Sequence, residues 1–445
     1  MANVIKIKKG LNIPLKGEAS DKITVAPSAG IYAICPDDFP GIIWKTGVKP
    51  GDKVEAGSSL LFSKQHPEIC LVSPVKGIVD EVNRGERRHI NYISVVAEEA
   101  SFESNLGFIP GKDSPEEIKQ ALMRCGLWAF MRQRPFDIVP SPDDTPRDIF
   151  ITAFDSAPLA GPVLDNSLEP WLAKGIEALA KLTPGKVYLG ISPGQKIDCP
   201  QCIVNEFHGP HPAGNVGPQI AAVKPVNKGE TVWTLDVATA ARIGRLVTTG
   251  ELDVHTLVAV TGPMIKEPHF IKTIIGAQIS KLVENNLKTE SGIRIISGNV
   301  LTGIKVTVND FLHFPYRQIT VIEEGDSADE FMGWASVSPK KYSVKRSFPA
   351  FLRGLSKPFD FDARIKGGKR AMIMSGEYDK VFPFDIYPEY LIKAILSGDI
   401  DRMEKLGIYE VAPEDFALPE FVDTSKTELQ KTVREGLDNL RRELS

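Results

Sequence analysis

Between Asn205 and Pro218 the chain reads NEFHGPHPAGNVGP, with three Gly, three Pro and two of the seven His. No other stretch restricts the fold as much. Pro fixes φ and lacks an N–H donor, and Gly adopts backbone angles that other residues avoid. The stretch is therefore expected to be neither helix nor central strand. Such a loop makes either a rigid corner or a place where backbone approaches a ligand or partner closely. Taken alone, the rigid corner is the plainer reading.

Around this loop the chain alternates between two periodicities. Ser114-Pro-Glu-Glu117 is a capping box with Pro at the first helical position. Ile118, Ala121, Leu122, Cys125, Trp128 and Ala129 follow at helical spacing toward Arg132-Gln-Arg-Pro-Phe136, where Pro135 ends the helix. Asp148 to Phe154 predicts a strand, Asn166 to Glu169 the start of a second helix, and Val187 to Ile191 another strand. Asp236 caps a helix through Val247, and Thr256 to Val260 is again a strand. Strands alternating with helices predict a Rossmann-like α/β domain with a parallel sheet over residues 101–254. The glycine patterns that cradle a pyrophosphate, G-x-G-x-x-G and G-x-x-x-x-G-K-[ST], are both missing, so no motif supports nucleotide or flavin binding.

Cys199-Pro-Gln-Cys202 stands just ahead of His208 and His211. A structural or incidental pair comes first among its readings, a zinc site second and a redox pair third. Pro210 and Pro212 stiffen the His run, and the spacing is far shorter than in zinc fingers.

Residues 1–100 read as a small all-β unit. Val48 to Gly57 is strand, tight turn and strand, Leu60 to Phe62 a short strand, and Ser73 to Val82 a second half of the same plan. The pattern resembles the biotinyl/lipoyl barrel-sandwich hybrids. Their modified Lys position is His66 here, with Lys64 two residues off, so the unit is expected to be scaffold and to carry no covalent cofactor. Over residues 255–330, a helix around Ile274 to Asn285 and strands at Ile293–Ile296, Ile304–Val308 and Gln318–Ile322 predict an α+β, ubiquitin-like grasp. Residues 331–445 begin with a basic–aromatic run: Lys340, Lys341, Lys345, Arg346, Arg353 and Lys357 among Phe348, Phe351 and Phe359. It reads as a solvated surface or a protein contact. Short helices follow. Gly398 ends one, Asp399 caps the next, and a capping box at Ser425 to Glu428 opens a run of Leu429, Val433, Leu437, Leu440 and Leu444.

The net charge of −4 over 445 residues argues against nucleic acid. Five Cys are too few for a disulfide framework. The first residues lack the apolar core of a signal peptide, and no apolar run is long enough to span a bilayer.

Together these pieces resemble the NqrA family of bacterial Na⁺-translocating NADH:quinone oxidoreductases. The resemblance rests on Ile7–Gly10, Arg134–Phe136, Phe150–Phe154, Gly209–Gly214, Gly262–Met264, Ser297–Gly303, Glu330–Trp334, Tyr378–Ile386, Leu406–Gly407 and Glu414–Leu418, and it spans nearly the whole chain. It implies a barrel-sandwich hybrid, a Rossmann-like domain, an SLBB-type grasp and a C-terminal helical domain. It implies a peripheral subunit on the cytoplasmic face of the inner membrane, with five partner subunits, chiefly the integral membrane protein NqrB. The complex would oxidise NADH, reduce quinone and export Na⁺. The family is related to the flavin subunit of respiratory complex I and to RnfC of the Rnf complexes, but it carries neither flavin nor iron–sulfur cluster. Consistently, Leu418 to Lys426 offers no Cys to ligate iron. A stand-alone flavin oxidoreductase and a cofactor-free scaffold are the alternatives. No catalytic residue and no metal site is assigned.

A quinone headgroup has two carbonyl acceptors and a flat ring, so it needs donors beside an aromatic or apolar wall. Arg132, Arg134 and Phe136 offer donors and a ring at the expected helix end, and His211 and Gly214 add a donor and a glycine from the Gly-Pro loop. Salt bridges at a helix C-terminus plus a rigid corner explain the same residues.

Overall fold

The centre of the molecule is a six-stranded sheet in the order Asn3–Lys6, Ile203–His208, Val187–Ile191, Asp148–Thr152, Val232–Asp236, Arg132–Arg134. Its strands are parallel except Arg132–Arg134, which runs antiparallel along Val232–Asp236. The computed structural model describes residues 2–27, 30–98, 104–105, 114–326, 339, 341–344, 349–352, 354 and 357–444. The inner strands DIFIT, VYLGI and VWTLD are largely apolar, as strands covered on both faces must be.

Helices Leu172–Ala180 and Val237–Thr249 pack closely against one another, and two glycines permit the approach. A Cβ on Gly175 would lie 1.7 Å from the Ala240 carbonyl oxygen, and one on Gly244 1.9 Å from that of Trp171. Gly244→Val must push the helices apart, and overpacking of this kind costs about 1–3 kcal/mol or more. A urea melt should show a lower midpoint with little change in slope. An unshifted midpoint would mean that the helices have room to spare.

Several expectations need correcting. The helix that opens at Ser114 ends at Arg124, because Gly126 takes φ 84° and a 3-10 turn, Leu127–Phe130, follows. Arg132 and Arg134 therefore sit on an edge strand and not at a helix C-terminus. Asn205 to His208 belongs to a strand bonded on both sides, and Val216–Val223 is a helix, so the loop proper is only Gly209 to Asn215. Each Pro in the stretch lies outside that strand, so its N–H groups stay available to the ladder.

The barrel consists of two small antiparallel sheets. One contains Ile31–Ile34, Ile90–Ala97, Gly77–Arg84 and Lys53–Val54; the other contains Trp44–Thr46, Ser59–Ser63 and Cys70–Val72. His66 lies on the turn between the last two, 3.6 Å from Glu68 and 3.8 Å from Asp143. The N-terminal arm leaves the barrel. Asn3–Lys6 joins the central sheet, and Ile23–Val25 edges a third.

That third sheet is six-stranded and mixed, in the order Ile23–Val25, His269–Ile274, His255–Thr261, Gln318–Glu323, Ile293–Ser297, Ile304–Val306. It claims the strand expected to close the α/β alternation. The helix expected over Ile274 to Asn285 shrinks to Ile279–Leu282.

The C-terminal helices include Pro388–Ser397, Ile400–Lys405, Ala417–Val422 and Leu429–Leu444 around a second core of Tyr378, Phe382, Leu391, Phe416, Val433 and Leu437. The expected Ser425 box does not form. The Ser425 hydroxyl accepts the Ile373 N–H at 3.3 Å, and Asp423 takes the Thr427 N–H at 2.8 Å. Of the basic–aromatic run, Lys340, Lys345, Arg346, Phe348 and Arg353 lie outside the described residues, as does Glu330 to Trp334. Phe359 is no surface residue: it is buried, and its carbonyl accepts the Lys16 N–H. No helix among the described residues is long and apolar enough to cross a membrane.

Candidate functional site

From Asp148–Thr152 the chain adds strands Val187–Ile191 and Ile203–His208 on one side, then crosses to place Val232–Asp236 on the other. Past the carboxyl ends of the first and last of these the strand order reverses, leaving a crevice of the kind where open α/β sheets bind ligands. A cavity of about 470 Å³ opens there. Its walls come from every part of the molecule: Asp37 and Asp38 from the barrel, Thr152, Phe154 and Asp236 from the strand ends, Gly298, Asn299 and Phe314 to Gln318 from the third sheet, and Glu414 and Gln430 from the C-terminal helices.

One wall is aromatic. Phe130 and Phe314 stack at 4.2 Å between ring centroids, and Phe39 stacks on both from behind. Tyr316 adds a ring whose hydroxyl donates to the Thr302 carbonyl.

Residues alternate sides along a strand, so Arg132 and Arg134 face one way and Gln133 the other. Gln133 donates to Asp144, while Arg134 donates to Asp415 at 3.1 Å and to Glu414 at 2.9 Å. The Arg134 side chain is only 2% exposed. Burial works against its charge, but Asp415, Asp137 and Glu414 outweigh that and push its pKa up. Arg132 is anchored by the Ala129 and Asp38 carbonyls, and burial pulls its pKa down against the attraction of Asp137, Asp38 and Glu414.

His211 is buried in the Gly-Pro loop. Its backbone N–H donates to Asn12 at 2.8 Å, and its Nδ1 lies 3.0 Å from the Ser156 hydroxyl, which in turn accepts the Gly214 N–H at 2.8 Å. Burial pushes the imidazole pKa down to about 4, so the ring is neutral at physiological pH. In the tautomer whose Nδ1 accepts the hydrogen bond from the Ser156 hydroxyl, the ring carries its one proton on Nε2.

Opposite, Asp236 caps helix Val237–Thr249 by accepting the Thr239 N–H at 2.7 Å, and its second oxygen is held by Arg317. A helix N-terminus with free N–H groups can hold a phosphate. Here a carboxylate already occupies it.

Four of the five residues singled out from sequence, Arg132, Arg134, His211 and Gly214, meet at this cavity. Phe136 does not; it packs against the C-terminal core. Cys199, Cys202, His208 and His211 do not converge on a metal site: His208 pairs with Glu206 at 2.6 Å, and among the described residues only Cys35, Asp38 and His313 group as metal donors. Asp38, Phe130, Phe314, Tyr316 and Arg317 were missed, since each lies in a segment with no local motif. Ser297–Gly303 was the one available pointer, and Gly298, Asn299 and Thr302 do line the cavity.

The chain matches three family descriptions: "NqrA N-terminal barrel-sandwich hybrid domain" over residues 5–98, "NqrA second alpha/beta domain" over 114–252 and "NQRA C-terminal domain" over 257–308. It is 36% identical to the NqrA subunit of the Na(+)-translocating NADH-quinone reductase of Serratia proteamaculans, over 99% of this chain and 100% of that one. To the corresponding subunit of Pasteurella multocida it is 35% identical over the same shares. A crystal structure of an NAD+-reducing [NiFe]-hydrogenase aligns over 76% of this chain and 63% of its own at 13% identity and a TM-score of 0.36. Matched from end to end by such relatives, the chain belongs to the NqrA family of Na(+)-translocating NADH-quinone reductase subunits.

Proposed function

We propose that this chain is the quinone-associated, peripheral subunit of its complex. It sits on the cytoplasmic face of the bacterial inner membrane, docked chiefly on the integral membrane protein NqrB among five partners, and has no redox centre of its own. The observation that carries the reading is the cavity at the strand-order reversal, whose lining combines an aromatic wall with one neutral donor, His211, and one cationic donor, Arg132. A quinone ring lies against Phe130 and Phe314. His211 Nε2–H and Arg132, both in the lining, donate to its carbonyl oxygens. Arg134 is committed to Glu414 and Asp415 and positions the wall without touching the ring. The doubly wound strand order supports a Rossmann-like domain, and the third sheet with its Ser297–Gly303 turn supports an SLBB-type grasp.

The stand-alone flavin reading is disfavoured by Asp236. A phosphate brought to that helix N-terminus would meet a carboxylate instead of free N–H groups. Chain purified without denaturation is expected to show no flavin band; stoichiometric flavin would reverse this reading. The direct test is a photoreactive quinone analogue applied to the intact complex. Crosslinks are expected within Phe130–Arg132 and Phe314–Arg317. Labelling of this chain only on surfaces away from the cavity would overturn the proposal.

A further inference from the structure

We propose that Cys35, Asp38 and His313 form a binding site for one thiophilic transition-metal dication of the zinc class, clipping the barrel to the third sheet beside the cavity. Their donor atoms all lie within 4.8 Å of one another. Cys35 precedes and Asp38 ends a single 3-10 turn, Pro36–Asp38, closed by the Asp38 N–H on the Cys35 carbonyl at 3.2 Å. In such a turn residues three apart project to the same side. His313 comes from the other side, far along the chain, with Nδ1 2.7 Å from Asp38 Oδ1.

The two segments are held together independently of any ion. Asp38 Oδ2 accepts the Phe314 N–H at 2.8 Å, and the residues following the two ligands, Phe39 and Phe314, stack at 5.2 Å. A carboxylate fixed through its second oxygen, on segments locked by packing, is how metal ligands are commonly oriented. Cys35 is 6% exposed, Asp38 9% and the His313 side chain 18%, so the thiol is buried while the other two ligands leave an approach for the ion. Asp37 and Asp310 lend the thiol further negative surroundings, which suit a dication.

The donor set decides the metal. Sulfur and imidazole beside one carboxylate select zinc-like ions over Mg²⁺ or Ca²⁺, and three protein ligands leave a fourth position for water. On binding, the Cys35 S–H proton leaves to solvent as the metal–sulfur bond forms, and the proton shared by His313 and Asp38 leaves as the imidazole nitrogen takes the metal. That nitrogen and oxygen must then open from 2.7 Å to about 3.3 Å, the edge of a tetrahedron with bonds of about 2.0 Å.

The test is Co²⁺ titration of chelator-stripped full-length chain carrying Cys199→Ser and Cys202→Ser, which removes the C-x-x-C thiols and leaves Cys70 and Cys125 as the background that Cys35→Ser controls for. The expected result is one equivalent bound, tetrahedral visible bands and a near-ultraviolet thiolate-to-cobalt band, all displaced by Zn²⁺. Adding Cys35→Ser should abolish the near-ultraviolet band. Adding His313→Asn should weaken binding at least tenfold, with circular dichroism unchanged in both. Asp38→Ala is not relied on, because Asp38 also holds the Phe314 backbone. A colourless titration, or a thiolate band indifferent to Cys35→Ser, would leave only an Asp38–His313 clamp and overturn the proposal.

Discussion

Arg134→Met should destabilise the protein by about 3–5 kcal/mol, the usual cost of removing one partner from a buried ion pair. Met keeps much of the side-chain volume, so the loss is chiefly electrostatic. Asp415 is fully buried and would be left with an uncompensated charge, while Glu414 keeps 38% of its side chain open at the cavity and would suffer less. The effect should depend on pH. Burial already raises both carboxyls above the ordinary range, although Arg134 pulls them down. A carboxyl with a raised folded pKa contributes stability that is full below its unfolded value and is lost as pH rises through the folded one. Without Arg134 the folded values climb further. The deficit of Arg134→Met relative to wild type should therefore be small in acid and grow as pH rises from the ordinary carboxylate range through neutrality. Denaturant melts at several pH values measure it. Adding Asp415→Asn should recover part of the loss, since the orphaned charge goes with it. A deficit that is flat with pH would mean that Arg134 acts by packing alone.

This pair also shows where the sequence stops being legible. Local rules served well where one short segment decides. The Ser114 hydroxyl accepts the Glu117 N–H and the Glu117 carboxylate reaches back, as the capping box predicts. Asp236 caps its helix, Gly398 ends another at φ 69°, and Leu429, Val433, Leu437 and Leu440 all face the core. Local rules failed where a distant partner decides. Asn205 to His208 reads as loop beside its Gly and Pro, yet the N-terminal arm supplies a strand to one side of it. Apolar spacing carries the first helix on to Ala129, but Gly126 breaks it and frees Arg132 to Arg134 to pair with Val232–Asp236. The cavity is the extreme case, since Arg134 meets Asp415 281 residues away and His313 meets Asp38 275 residues away. Arg132, Arg134, His211 and Gly214 could be singled out because two of the segments bearing them are unusual in themselves. Phe130 and Phe314 could not, because an aromatic at helical spacing or beside a Pro is more often core than wall.

The combined variant His211→Ala/Phe130→Ala should lower quinone reduction by the assembled complex by roughly one to two and a half orders of magnitude in kcat/KM. A net hydrogen bond is worth about 0.5–1.5 kcal/mol, and loss of a ring from an aromatic wall about 1–2 kcal/mol. Together they make roughly 1.5–3.5 kcal/mol, or about 10- to 300-fold at about 1.4 kcal/mol per decade. If the cavity serves quinone alone, NADH oxidation with an artificial electron acceptor should be unchanged. Phe130→Leu should restore the packing against Phe39 and Phe314 but not the stacking face, and so recover only part of the loss. Because burial holds the His211 pKa near 4, the imidazole donates as a neutral group. The ratio of wild-type to His211→Ala activity should therefore stay flat between about pH 6 and 8, where an imidazole of ordinary pKa would titrate. A step in that ratio near the ordinary imidazole value would mean that His211 acts through its charge, and that its ring is reached by water in the working complex. Equal losses with quinone and artificial acceptor would place the defect in assembly and remove His211 and Phe130 from the quinone site.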